Sequence, residues 1–167
     1  VHTLVGIPLP ETTALLYALG PFLDETTSDI ARSEVNQRRD HILPAWVRQI
    51  AGATVGEVWE QRHLLGDGEN LLIGLQWPSG HEASVVIYID HNMGTLVKDA
   101  FALPEPAQRV LSIYEREAPP HSHQRPLDAG TARARVEAAL ATFAMTIPRA
   151  ESETWPACRP IVRWVTS

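Results

Sequence analysis

Residues 57–103 read EVWEQRHLLGDGENLLIGLQWPSGHEASVVIYIDHNMGTLVKDAFAL, and the punctuation of this stretch decides the fold. Four apolar runs are separated by Gly66-Asp67-Gly68, Pro78-Ser79-Gly80 and Asp90-His91-Asn92-Met93-Gly94. Glycine supplies the positive φ of tight turns, proline presets φ, and Asp and Asn bond their own backbone, so each break reverses the chain. Strand-length runs between such breaks read as an antiparallel meander. Alternation puts His63, Leu71, Tyr88 and Leu96 on one face with Trp59, Ile73, Leu75, Trp77 and Val86. The other face takes Val58, Leu64, Leu72, Val85, Ile87, Ile89, Val97 and Phe101. A sheet apolar on both faces must be covered on both.

Helical periods lie on either side. Thr12, Leu15, Leu16 and Leu19 recur at i, i+3, i+4 and i+7 before Gly20-Pro21, which predicts a helix over 11–19. Ala31, Val35 and Ile42, with Ser28 as N-cap, predict a second over 24–40. Pro44 opens a third that buries Trp46, Val47 and Ile50 and stops at a left-handed Gly52. Downstream, Ala107, Val110, Leu111 and Tyr114 predict a helix between Glu105 and Glu117. Segment 118–126, with three prolines and His121-Ser122-His123, reads as a loop. Asp128 then caps a helix with the stripe Ala132, Val136, Ala139, Leu140 and Phe143, ending before Pro148. Residues 149–155 read as irregular, and the apolar run from Trp155 to Val165 docks onto the body of the domain or a partner. The expectation is one α+β domain over 1–167: helices across residues 1–53, a four-stranded antiparallel meander over 54–103, and helices again across 104–167, so that helices flank the sheet.

At 167 residues and 44% hydrophobic, the chain can bury a substantial core. Its charge of −6 divides as −2 over 1–53, −5 over 54–103 and +1 over 104–167, so the acidity sits on the meander. Phosphate recognition needs the opposite sign, which argues against a nucleic-acid partner. Cys158 is the sole cysteine, so no intrachain disulfide forms and a reduced, cytoplasmic setting is expected. The longest apolar run, Ala83 to Ile89, is too short to cross a bilayer, and no signal pattern opens the sequence, so no membrane role is expected. Thirteen Arg against one Lys indicate a GC-rich genome.

Asp90 and His91, with His63 at the same edge of the meander, are candidate metal ligands or an acid/base pair, a donor mix that divalent metals accept. Turn chemistry explains the same polar residues without any site. Asp99 falls among inward-facing neighbours and needs a partner, for which Arg62 is the basic residue nearest in the pattern. His121 and His123 make a two-ligand set at most, and Cys158, between Pro156 and Pro160, has no histidine nearby. G-x-S-x-G, G-x-G-x-x-G, G-x-x-x-x-G-K-[ST] and H-E-x-x-H are all missing, and no cofactor is expected. Trp155 and Trp164, large rings near the end of the chain, are candidate interface anchors.

The tracts Tyr88-Ile89-Asp90-His91-Asn92-Met93-Gly94-Thr95-Leu96-Val97-Lys98-Asp99-Ala100-Phe101 and Thr154-Trp155-Pro156-Ala157-Cys158-Arg159-Pro160 resemble a family of uncharacterised proteins of high-GC bacteria. That resemblance carries no functional residues, and it implies that the chain is a domain of a longer protein. Three functions compete. The leading expectation is a non-catalytic interaction or regulatory domain that binds a protein partner or a second copy of itself. The others are a small metal-dependent or acid/base enzyme using His63, Asp90, His91 and Asp99, and a domain that binds an apolar ligand between sheet and helices.

Overall fold

The computed structural model describes residues 1–38, 42–50, 52–146 and 152–166. The chain divides into two compact units, Val1–Ala53 with Trp77–Ser79, and Thr54–Gln76 with Gly80–Ser167.

The first unit is helical: α1 (His2–Val5), α2 (Pro10–Leu19), α3 (Glu25–Gln37) and α4 (Ala45–Ile50), with α2 packed against the other three. Pro10 opens α2 at a position where no backbone N–H is needed. The N-cap of α3 is Asp24, whose carboxylate accepts from Thr27 N at 3.0 Å, rather than the expected Ser28. The predicted end of that helix, at Asp40, lies outside the described residues. Buried Arg38 organises the unit. Its guanidinium donates to the carbonyls of Leu4, Val5 and Ile7, to the hydroxyls of Thr12 and Thr13, and to Glu34 at 2.8 Å. The Val5 carbonyl finds its donor in this side chain, while those of Leu4 and Ile7 accept it in addition to the backbone N–H groups of Ile7 and Leu9. Val47 is buried as expected, whereas Trp46 is 55% and Ile42 91% exposed. A six-residue helix offers only one buried face, and Val47 occupies it. Gly52 is not left-handed; positive φ falls to Gly66, Gly80 and Gly94, in the three meander turns.

The second unit holds β1 (Thr54–His63), β2 (Gly68–Gln76), β3 (Glu82–Asp90), β4 (Leu96–Leu103), α5 (Ala107–Glu117), β5 (Ser122–Pro126), α6 (Ala129–Met145) and α7 (Trp155–Val165). The fold is α+β, and the meander forms as read. The sheet nevertheless has five strands, not four, in the order β4-β3-β2-β1-β5 and antiparallel throughout. β5 comes from the segment read as a loop. It is short, polar and closed by Pro126, features an edge strand tolerates because only one side must donate to a ladder. The free edge of β1 supplies the reason for it to form.

Register settles the two faces. Trp59 lies opposite Leu72, and Leu72 opposite Val86. These three meet Ala107, Val110, Leu111 and Tyr114 of α5 in one apolar cluster. The opposite face carries Val58, Leu71, Ile73, Leu75, Val85, Ile87, Ile89 and Val97, with α6 over β4 and β1 and α7 over β4. Leu71, Ile73 and Leu75 therefore stand on the Val58 face and Leu72 on the Trp59 face, the reverse of the expectation. Phe101 also changes sides, because a bulge between Tyr88 and Ile89 leaves Lys98 as an extra residue in β4.

Asp128 caps α6 as expected, accepting from Thr131 N at 2.8 Å. The apolar terminus is helical, and Trp155, fully buried, meets Phe143 edge-on at 5.5 Å. The irregular reading of residues 149–151 lies outside the described residues. Among the described residues no helix is long and apolar enough to cross a membrane.

Candidate functional site

The main polar constellation lies on the α6-covered face, at the β1–β5 side of the sheet. Alternation in β1 sends Val58, Glu60 and Arg62 to that face, and register places Glu60 opposite Leu71 and Arg125, and Arg62 opposite Glu69 and His123. Glu60 and Glu69 are both buried, at 0% and 3% exposure. Arg125 of β5 holds Glu60 with two hydrogen bonds, Nε to Oε1 at 3.2 Å and Nη2 to Oε2 at 3.1 Å. Arg135 of α6 reaches both carboxylates through Nη1, at 2.5 Å to Glu60 Oε2 and 3.0 Å to Glu69 Oε2. Arg62 Nε lies 2.9 Å from Glu69 Oε2 and 3.3 Å from Glu60 Oε1. Three guanidiniums from three elements thus enclose two carboxylates.

Burial alone would raise the Glu60 carboxyl, but hydrogen bonds from Arg125 and Arg135 and the charges of Arg62 and Arg135 outweigh it and hold the group below the ordinary glutamate range. The hydrogen bond to Glu60 raises Arg135 in turn. A carboxylate held ionised in this way is a poor proton donor or acceptor near neutral pH, so the cluster suits electrostatic recognition better than acid/base chemistry.

The residues singled out in the sequence are placed as follows. Asp90 accepts from Lys98 Nζ at 2.9 Å and Met93 N at 3.0 Å, an ion pair combined with the expected turn. Burial raises its carboxyl, but the Lys98 bond and the turn amides outweigh that and lower it. His91 joins the polar cluster: its Nδ1 lies 3.3 Å from Thr95 Oγ1, and Nε2 lies 3.8 Å from Glu69 Oε1. That Nε2 is buried and has no hydrogen-bond partner among the described residues. His63 is engaged elsewhere, Nε2 at 3.1 Å from the Pro120 carbonyl and Nδ1 accepting from Leu65 N. β2 runs between β1 and β3, so His63 and Asp90 stand two strand spacings, roughly 10 Å, apart. Among the described residues no group of three or more His, Cys, Asp or Glu is arranged to hold a metal.

Asp99 does not pair with Arg62, which the two glutamates occupy. Its Oδ1 accepts from Ser152 Oγ at 2.6 Å and from the Thr154 hydroxyl, tying β4 to the segment that leads into α7. Trp155 is enclosed and presents no surface to a partner, while Trp164 and Cys158 are half-buried. His123 sits exposed on β5 and His121 just before it, with φ of 69°. Glu60, Glu69, Arg125 and Arg135 were missed in the sequence. The available signal was the Val58-Glu60-Arg62 alternation, which points a carboxylate inward as surely as the one at Asp99.

The chain matches no known protein family, no curated protein and no solved structure.

Proposed function

We propose that the protein is a non-catalytic interaction domain, of bacterial and cytoplasmic origin, whose partner-binding surface lies on the N-terminal helical unit. The observation that carries this reading is a largely apolar groove of about 390 Å³ lined by Pro10, Ala14, Leu15, Ile42, Pro44 and Trp46 together with Glu11. Ile42, Trp46, Leu15 and Leu9 are 91%, 55%, 48% and 51% exposed, a concentration of apolar surface that marks contact sites in folded proteins. The anchoring aromatic is then Trp46, not Trp155. Light scattering after size exclusion, over a wide range of concentrations, tests self-association, and Trp46→Ser with Leu15→Ser is the variant. Self-association that the double substitution abolishes supports the reading. A monomer at every concentration, or self-association that the double substitution leaves intact, counts against it.

A second reading has its own observation. A cavity of about 300 Å³, lined by Val55, Val58, Ile73, Ala132 and Val165 with Arg133 and Thr166, opens between the sheet, α6 and α7, at the lower limit for small-molecule sites. An apolar fluorescent probe displaced by Val58→Trp would support a ligand there.

A further inference from the structure

The Glu60–Glu69 cluster carries more positive charge than its carboxylates neutralise. Three guanidiniums face two carboxylates, an excess of one positive charge within a chain of net charge −6. We propose that Arg62, Arg125 and Arg135 form a binding site for an oxyanion, a phosphoryl or carboxylate group, at the β1–β5 edge of the sheet.

Donor capacity points the same way. A guanidinium has five N–H donors, and the bonds to Glu60 and Glu69 use only some of them. Nη1 of Arg62, Nη1 of Arg125, and Nε and Nη2 of Arg135 make no hydrogen bond among the described residues. The three side chains are 33%, 56% and 29% exposed, so these donors are accessible from water while the carboxylates beneath are not. The buried glutamates act as a mould: they fix the guanidiniums before a ligand arrives, and the cost of ordering long side chains is already met on folding. Among the described residues no carboxylate besides Glu60 and Glu69 pairs with these guanidiniums. His123 flanks Arg62 on β5, His91 adds a second imidazole beside Glu69, and Glu137 on α6 is paired with Arg133 at 2.8 Å. Planar forks of this kind bind carboxylate and phosphate oxygens in pairs.

The test is a titration of the full chain with inorganic phosphate, and separately with acetate, at constant ionic strength, read by the arginine Nε–H resonances. Saturable shifts are expected at Arg62, Arg125 and Arg135, with Arg116, on α5 and paired to Glu117, unmoved. Arg125→Gln is expected to weaken binding at least tenfold, and Arg116→Gln to leave it unchanged. Saturation by phosphate alone assigns a phosphoryl ligand, and by acetate alone a carboxylate. No saturation by either anion, equal shifts at all arginines, or unchanged affinity in Arg125→Gln overturns the proposal. If Arg125→Gln does not fold, the wild-type resonances alone decide, and none of these readouts depends on the N-terminal groove.

Discussion

Replacing Glu60 with Gln keeps the side-chain volume and removes one charge. Arg62 and Arg135 are then left with Glu69 alone and Arg125 with no carboxylate, three positive charges against one in the cluster. Removing one partner of a buried ion pair costs about 3–5 kcal/mol where the partners are fully desolvated. Here the carboxylate is enclosed but the guanidiniums are 29–56% exposed, so water screens some of the repulsion and the lower end, about 3 kcal/mol, is expected. For a unit of this size that lowers the melting temperature by roughly 10 °C. Urea denaturation at pH 7, with calorimetry, reads both quantities. The pH dependence supplies a second check. The Glu60 pKa is lower in the folded state, so its contribution is present above the unfolded value of about 4.3 and lost as pH falls through the folded one. The gap between wild type and Glu60→Gln should therefore close in acid. Glu60→Met combined with Arg135→Met should recover much of the loss, because removing both partners leaves less unpaired charge. A loss under about 0.5 kcal/mol at pH 7, the range of ordinary surface substitutions, or a gap that persists in acid would refute the reasoning.

Three further outcomes are expected. Arg38→Met strips donors from three backbone carbonyls and two hydroxyls, and should cost about 3 kcal/mol, read as faster hydrogen exchange across α2 and α3. Gly68→Ala would place a Cβ 2.6 Å from Tyr88 Oη and 2.9 Å from the Ile89 carbonyl, and should cost about 1–3 kcal/mol in chemical denaturation, since the backbone oxygen cannot swing aside. Asp99→Ala removes the acceptor of the Ser152 and Thr154 hydroxyls and should cost about 1–2 kcal/mol, with proteolysis accelerated just before α7; unchanged cleavage would show that Asp99 does not tether that segment.

Where local chemistry and apolar period agreed, the fold was legible: Asp128 ahead of the α6 stripe, and the three glycine turns of the meander. β5 was not, because an edge strand of Ser122-His123-Gln124-Arg125-Pro126 buries no apolar face and so carries no period. The face assignments failed at register. Trp59↔Leu72 and the bulge beside Tyr88 are set by pairing across strands, which alternation within one strand does not encode. The polar cluster was half legible. An inward carboxylate could be read at Glu60, but Arg135 lies 75 positions away and comes within reach only once α6 has packed on the sheet.

The edge position of β5 also bears on the order in which the chain can be completed. β1 to β4 are joined by tight turns and can pair as soon as each is made, but β5 follows only after α5, so Trp59 must wait for Pro126. During synthesis or refolding a ten-residue strand is left with one side unpaired, and another copy of β1 can occupy it first. The four polar residues and the proline that cover Trp59–His63 therefore act as a kinetic gatekeeper, and crowded, fast expression is where their late arrival would be felt as aggregation.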